Sequence, residues 1–127
     1  KLANESHICA IESDRGGFSP RGFSIDATSD QVAHVASWEG LLEEYGLHFF
    51  KKGYSGVDIG PLKNKENQVD SNLFLMGLYP DPQRYFDYHH SDDDVFENVN
   101  QRELELGGAS MATMVYLVDK YWYLFSK

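Results

Sequence analysis

Asn72-Leu73-Phe74-Leu75-Met76-Gly77-Leu78-Tyr79 is apolar at nearly every position, and Pro80-Asp81-Pro82 ends it. A strand with one wet face would alternate apolar and polar residues. An unbroken run instead predicts a strand covered on both faces. His7 to Ile11 is a second, shorter run of the same kind, and both are expected in the sheet interior. Leu47 to Lys52 reads as a further short strand. Thr28 to Tyr45 reads as a helix, opened by a capping box of Thr28 with Gln31 and closed by Gly46. Its face is Val32, Val35, Trp38, Leu42 and Tyr45, spaced by threes and fours. Asn100 to about Phe125 is a long helix with Asn100 and Glu103 as cap and reciprocal acid. Leu104, Gly108, Met111, Val115, Val118, Trp122 and Phe125 form its predicted apolar face. A helix this apolar needs burial on more than one side.

The chain has 127 residues, 42% of them hydrophobic, which suits one folded domain with a real core. A net charge of −9 argues against nucleic acid, whose phosphates need clustered Lys and Arg. No apolar run reaches the length of a membrane-spanning helix. One cysteine, Cys9, rules out an internal disulfide framework and thiolate-rich zinc sites. It lies in an apolar run and reads as a small core residue. Lys1-Leu2-Ala3-Asn4-Glu5 is no signal peptide and has no initiator Met, as expected of a processed end or of a cut into a longer protein.

Candidate chemistry lies in three loops. The first is Ile11-Glu12-Ser13-Asp14-Arg15-Gly16-Gly17, polar residues at the carboxyl end of a strand, where open α/β sheets place ligand-binding groups. Phe18-Ser19-Pro20-Arg21-Gly22-Phe23 continues it as a loop punctuated by Pro and Gly. The second is Gly53-Tyr54-Ser55-Gly56-Val57-Asp58-Ile59-Gly60-Pro61-Leu62. It lets backbone approach a ligand closely but lacks the Gly-Lys-Ser/Thr ending of a phosphate loop. The third is Arg84-Tyr85-Phe86-Asp87-Tyr88-His89-His90-Ser91-Asp92-Asp93-Asp94, either a solvated polar turn or a metal-binding stretch. Asp14, Asp58, His89, His90 and Asp92 to Asp94 would suit zinc in a hydrolase better than a structural zinc or calcium. No Ser sits in a Gly-x-Ser-x-Gly elbow, so a Ser-His-Asp triad is poorly supported. Glu43-Glu44 reads as a solvated helix face.

These stretches, together with Asn98-Val99-Asn100-Gln101-Arg102-Glu103-Leu104-Glu105-Leu106-Gly107, resemble one family in one order. It is the di-zinc exopeptidase family of bacterial leucyl aminopeptidase and plasma glutamate carboxypeptidase (metallopeptidase family 28), with the likeness strongest to the latter branch. The resemblance implies a three-layer α/β/α fold with a mixed sheet and two zinc ions per intact enzyme. It implies that Asp14 binds one zinc and His90 the other, with Asp94 supporting His90 and His89 facing the substrate carbonyl as oxyanion stabiliser. Gly56, Val57 and Asp58 would line the substrate pocket. Val95 stands where relatives usually have Thr.

Relatives place a first His ligand, the bridging Asp and a Glu-Glu pair before the Glu-Ser-Asp motif, and here only eleven residues precede it. The expectation is therefore that residues 1–127 are the carboxyl-terminal portion of one zinc peptidase catalytic domain, an amino- or carboxypeptidase acting on a peptide or dipeptide. Alone it would be inactive, bind zinc weakly or not at all, and leave a strand edge and a helix face uncovered. Its expected partner is the missing N-terminal part of the domain, or a second copy. The resemblance places the intact protein in a secreted or periplasmic location. The competing reading is a non-catalytic interaction domain that retains the peptidase fold.

Overall fold

The computed structural model describes residues 7–63, 73–82 and 99–121. Its elements are β1 (Cys9–Glu12), β2 (Pro20–Asp26), α1 (Ser29–Ala36), α2 (Glu39–Leu42), β3 (Phe49–Lys52), β4 (Phe74–Pro80) and α3 (Gln101–Tyr121). Short 3-10 turns occupy Glu43–Tyr45 and Gly60–Lys63. The strands form one sheet in the order β1-β4-β2-β3. β4 runs parallel to β1 and antiparallel to β2, and β2 runs parallel to β3. The result is a small α/β fold with three helices and a mixed four-stranded sheet, consistent with a generic α/β/α layering.

The unbroken apolar run does become an interior strand: β4 has a partner on each edge and is buried at every position except the half-buried Tyr79. β1 needs a correction. It was expected inside the sheet, yet it is an edge strand among the described residues, because β4 separates it from β2. Cys9 and Ile11 are accordingly only half-buried and Ile8 is exposed.

β2 is the strand that Pro and Gly concealed. Pro20 opens it opposite Pro80, where neither residue is asked for a ladder N–H, and the register shifts between Pro20 and Gly22. Gly22 has φ +150°, and a Cβ there would fall on the Phe49 carbonyl across the β2–β3 pair. Only glycine lets β3 approach at that point.

The expected Thr28–Tyr45 helix is broken in two. The capping box forms: the Gln31 amide donates to Thr28 Oγ1 at 3.2 Å and the Thr28 amide to Gln31 Oε1 at 3.0 Å. Helix α1 then ends at Ala36, α2 lasts four residues, and a 3-10 turn follows up to Gly46 at φ +80°. Each change of winding shifts the angular phase, so Val35, Trp38 and Leu42 are buried while Tyr45 is 59% exposed.

α3 begins with the expected Asn100 cap, the Glu103 amide donating to Asn100 Oδ1 at 3.0 Å. Its buried face is only partly the expected one: Val118 is buried and Met111 packs against the core, as expected. Gly107, Ser110, Met114, Leu117 and Val118 face inward, and Leu104 and Val115 stay half-exposed. Gly107 faces Leu78, and Ser110 can be buried because its hydroxyl donates to the Leu106 carbonyl at 2.6 Å. The expected Trp122 and Phe125 lie outside the described residues.

The inward residues of β2 and β4 (Phe23, Ile25, Phe74, Met76, Leu78) join Val35, Leu42, Met114 and Leu117 in one core cluster. The rings of Trp38 and Tyr121 are 6.1 Å apart and tie α3 to the α1–α2 segment. Burial of each large apolar side chain contributes about 1.5–3 kcal/mol. Among the described residues no helix is long and apolar enough to cross a membrane.

Beside the edge strand lies an apolar groove of about 470 Å³ between β1 and α3, lined by Ile8, Cys9, Ile11, Met111, Val115 and Val118. Burial pushes the Cys9 thiol up to about 12. The thiolate is the reactive form, so at neutral pH only on the order of 10⁻⁵ of Cys9 is ready to react. A maleimide or disulfide reagent should therefore label the native protein at least ~100-fold more slowly than the unfolded chain, with native labelling rising as pH climbs toward 12. Equal rates in the two states would contradict this burial.

Candidate functional site

β1 ends on Glu12, and the chain leaves the sheet through Ser13, Asp14 and Arg15. Glu12 pairs in register with Gly77 of β4 and is buried, 8% exposed. A buried carboxylate needs donors. Two come from far along the chain: the Asp58 and Ile59 amides donate to Glu12 Oε2 at 3.1 and 3.2 Å. Consecutive N–H groups converging on one oxygen form an anion-binding backbone concavity.

Two glycines make this closure possible. Gly56 has φ +150°, and a Cβ on it would fall on the Glu12 carboxylate. A Cβ on Gly77 would fall on the Ser55 carbonyl, so the loop lies directly on β4. The loop is also held at both ends. The Gly53 amide donates to the Ile25 carbonyl at 2.8 Å, and Lys63 Nζ donates to the Asp26 carbonyl at 2.6 Å and sits 3.2 Å from Asp26 Oδ1.

Where β1, β4 and this loop meet there is a polar pocket of about 110 Å³. Glu12, Asp14, Arg15, Ser55, Gly56 and Val57 line it, with Ser24 and Tyr79 from the sheet. Glu12 Oε1 and Ser55 Oγ are buried and have no hydrogen-bond partner among the described residues. The Arg15 guanidinium lies 5.5 Å from the centre of the Tyr79 ring, which stacks on Phe49 at 4.2 Å. Asp14 lines the pocket and is exposed.

Three of the residues singled out from sequence, Asp14, Gly56 and Val57, line this one pocket. Asp58 takes part through its amide, while its side chain is exposed. His89, His90 and Asp94 lie outside the described residues. Among the described residues no group of three or more His, Cys, Asp or Glu could hold a metal ion. Asp14 fits zinc as one oxygen donor, and Glu12 is less suited because its Oε2 is committed to two amides. Sequence reading passed over Glu12 and Ser55. The signal was there for Glu12: an acid closing a buried apolar run must be satisfied by something, and a glycine-rich loop is the natural source of bare amides.

Comparison with known proteins gave no match: no family model, no curated protein and no solved structure matches this chain.

Proposed function

We propose that the chain is the carboxyl-terminal portion of a zinc-dependent exopeptidase of the di-zinc family named above, and that its finer architecture is the zinc exopeptidase one. The observation that carries the reading is the meeting of two motifs 46 positions apart: Glu12-Ser13-Asp14 and Ser55-Gly56-Val57-Asp58 join around one pocket through the Glu12 carboxylate. A loop of bare backbone beside an exposed carboxylate suits a peptide, whose own backbone must come close.

In this reading Asp14 and His90 would each hold one of two zinc ions, with Asp94 orienting His90. When bound, the ions supply a hydroxide nucleophile at neutral pH and polarise the scissile carbonyl. His89 donates to the carbonyl oxygen as negative charge develops there. The backbone at Gly56 and Val57 forms a wall for the substrate. The other ligands and the general base come from the preceding part of the domain, which also covers the groove between β1 and α3, and the intact protein works in a secreted or periplasmic setting.

Metal analysis and peptidase assays on the full-length protein test this. About two zinc ions per chain are expected, with release of terminal residues that a chelator stops and added zinc restores. Residues 1–127 alone should take up zinc weakly, because a catalytic zinc normally needs about three protein ligands. A zinc-loaded full-length protein that leaves peptide termini intact would sink the reading.

A further inference from the structure

We infer that Glu12 is a positioning residue: its carboxylate clamps the Gly53–Ile59 loop onto the end of β1 so that the loop's backbone stands as one wall of the pocket beside Asp14. Three independent features converge on it. Two consecutive amides, Asp58 and Ile59, share Glu12 Oε2. Gly56 leaves no room for a side chain because the same carboxylate occupies the place of its Cβ. Gly77, the register partner of Glu12, leaves the space into which the Ser55 carbonyl descends. The remaining Glu12 oxygen and the Ser55 hydroxyl are both buried and unpartnered among the described residues, so the clamp is not saturated by the contacts that hold the loop.

The clamp is more than a filler of the core because of where it sits. Glu12 and Asp14 are two residues apart on the same strand end, so any movement of the loop relative to β1 is movement relative to Asp14. A carboxylate is the right acceptor for this task. It takes two amides on one oxygen, with hydrogen bonds roughly twice as strong as neutral ones. The use of the wall for substrate rests on the peptidase reading above; the clamp itself does not.

The test uses the full-length protein with Glu12→Ala, Glu12→Gln, Gly56→Ala and the double variant Glu12→Ala/Gly56→Ala. Hydrogen exchange followed by mass spectrometry reads the segment 53–62 against the β4 segment 74–80. In Glu12→Ala the exchange of the 53–62 segment should accelerate about 30-fold or more while 74–80 stays protected. Glu12→Gln, which can still present an oxygen to the two amides, should recover most of that protection. Gly56→Ala should be less harmful in the Glu12→Ala background than in wild type, since the atoms its methyl meets are then gone. In kinetics, Glu12→Ala should raise KM about tenfold or more at unchanged zinc content, with a smaller effect on kcat. Unchanged exchange at 53–62, or equal deprotection of 74–80 in both Glu12 variants, overturns the clamp. Faster loop exchange with unaltered KM, or loss of zinc in Glu12→Gln, overturns the positioning role. A wild-type protein with no peptidase activity refutes the peptidase reading instead, and the exchange experiment then decides the clamp by itself.

Discussion

Gly22→Ala is expected to remove about 3–5 kcal/mol of folding stability, a large share of the roughly 5–15 kcal/mol of an ordinary domain. Two effects add. The residue has φ +150°, a conformation L side chains rarely adopt, which costs on the order of 1–3 kcal/mol. The new methyl would also overlap the Phe49 carbonyl, a backbone atom of the neighbouring strand that has no rotamer to escape into. Relief requires β3 to move away from β2, and with it the Phe23–Phe50 contact, where the ring centroids are 6.2 Å apart in the core. Gly40→Ala is the matched control. Its Cβ meets nothing within 4 Å, and in a helix the exchange is worth up to about 1 kcal/mol of stabilisation. Urea denaturation of both variants reads the difference, and a Gly22→Ala protein as stable as wild type would mean that β2 and β3 are not paired in this register.

The same glycine explains why the sheet was only partly visible beforehand. β4 announces itself because a strand flanked on both edges and covered on both faces must be apolar throughout, and Phe74 to Leu78 is. β2 has no such pattern. It carries Pro20, Arg21 and Gly22 in a row, and its place in the sheet is set by a register shift and a close strand approach that only the assembled fold reveals. Local propensity pointed to a loop; tertiary pairing overrode it. In α3 the reverse occurred. Hydropathy correctly located the helix and placed Val118 inward but missed part of the stripe, since the buried Gly107 and Ser110 carry little apolar character. Leu104 and Val115, which looked like core, are left half-exposed, Val115 along the groove beside β1.

At the site the legible part was the part made of unusual residues. A pair of acids at a strand end and a loop of closely spaced glycines stand out in any chain, and the fold brings Asp14, Gly56 and Val57 to one pocket. What could not be read was the connection between them. Glu12 is defined by two amides 46 and 47 positions away, and no local pattern encodes a contact at that distance. Nor does residue type show that Asp58 contributes its N–H to the loop's anchorage while its carboxylate points to solvent.

That distinction gives the second large effect. On the peptidase reading, Asp14→Asn and His90→Ala in the full-length protein should each lose one zinc and lower kcat/KM by about 10³-fold or more, since a metal's transition-state stabilisation of several kcal/mol converts at about 1.4 kcal/mol per tenfold. Asp14→Asn is nearly isosteric and Asp14 is exposed, so the fold should survive and the loss can be read as chemistry. His89→Ala should keep both ions and lose about 10²–10³ in turnover, the usual effect of deleting a donor that meets charge only in the transition state. Asp58→Ala should be milder than any of these, within about tenfold and with full zinc, because alanine retains the N–H that Glu12 accepts and the exposed carboxylate adds little. Zinc determination alongside steady-state kinetics on the four variants separates the roles. Loss of zinc in His89→Ala but not in His90→Ala would shift the ligand assignment by one residue. Full zinc and full activity in Asp14→Asn would remove Asp14 from the metal site, and with it the chemical reason for placing the reaction in this pocket.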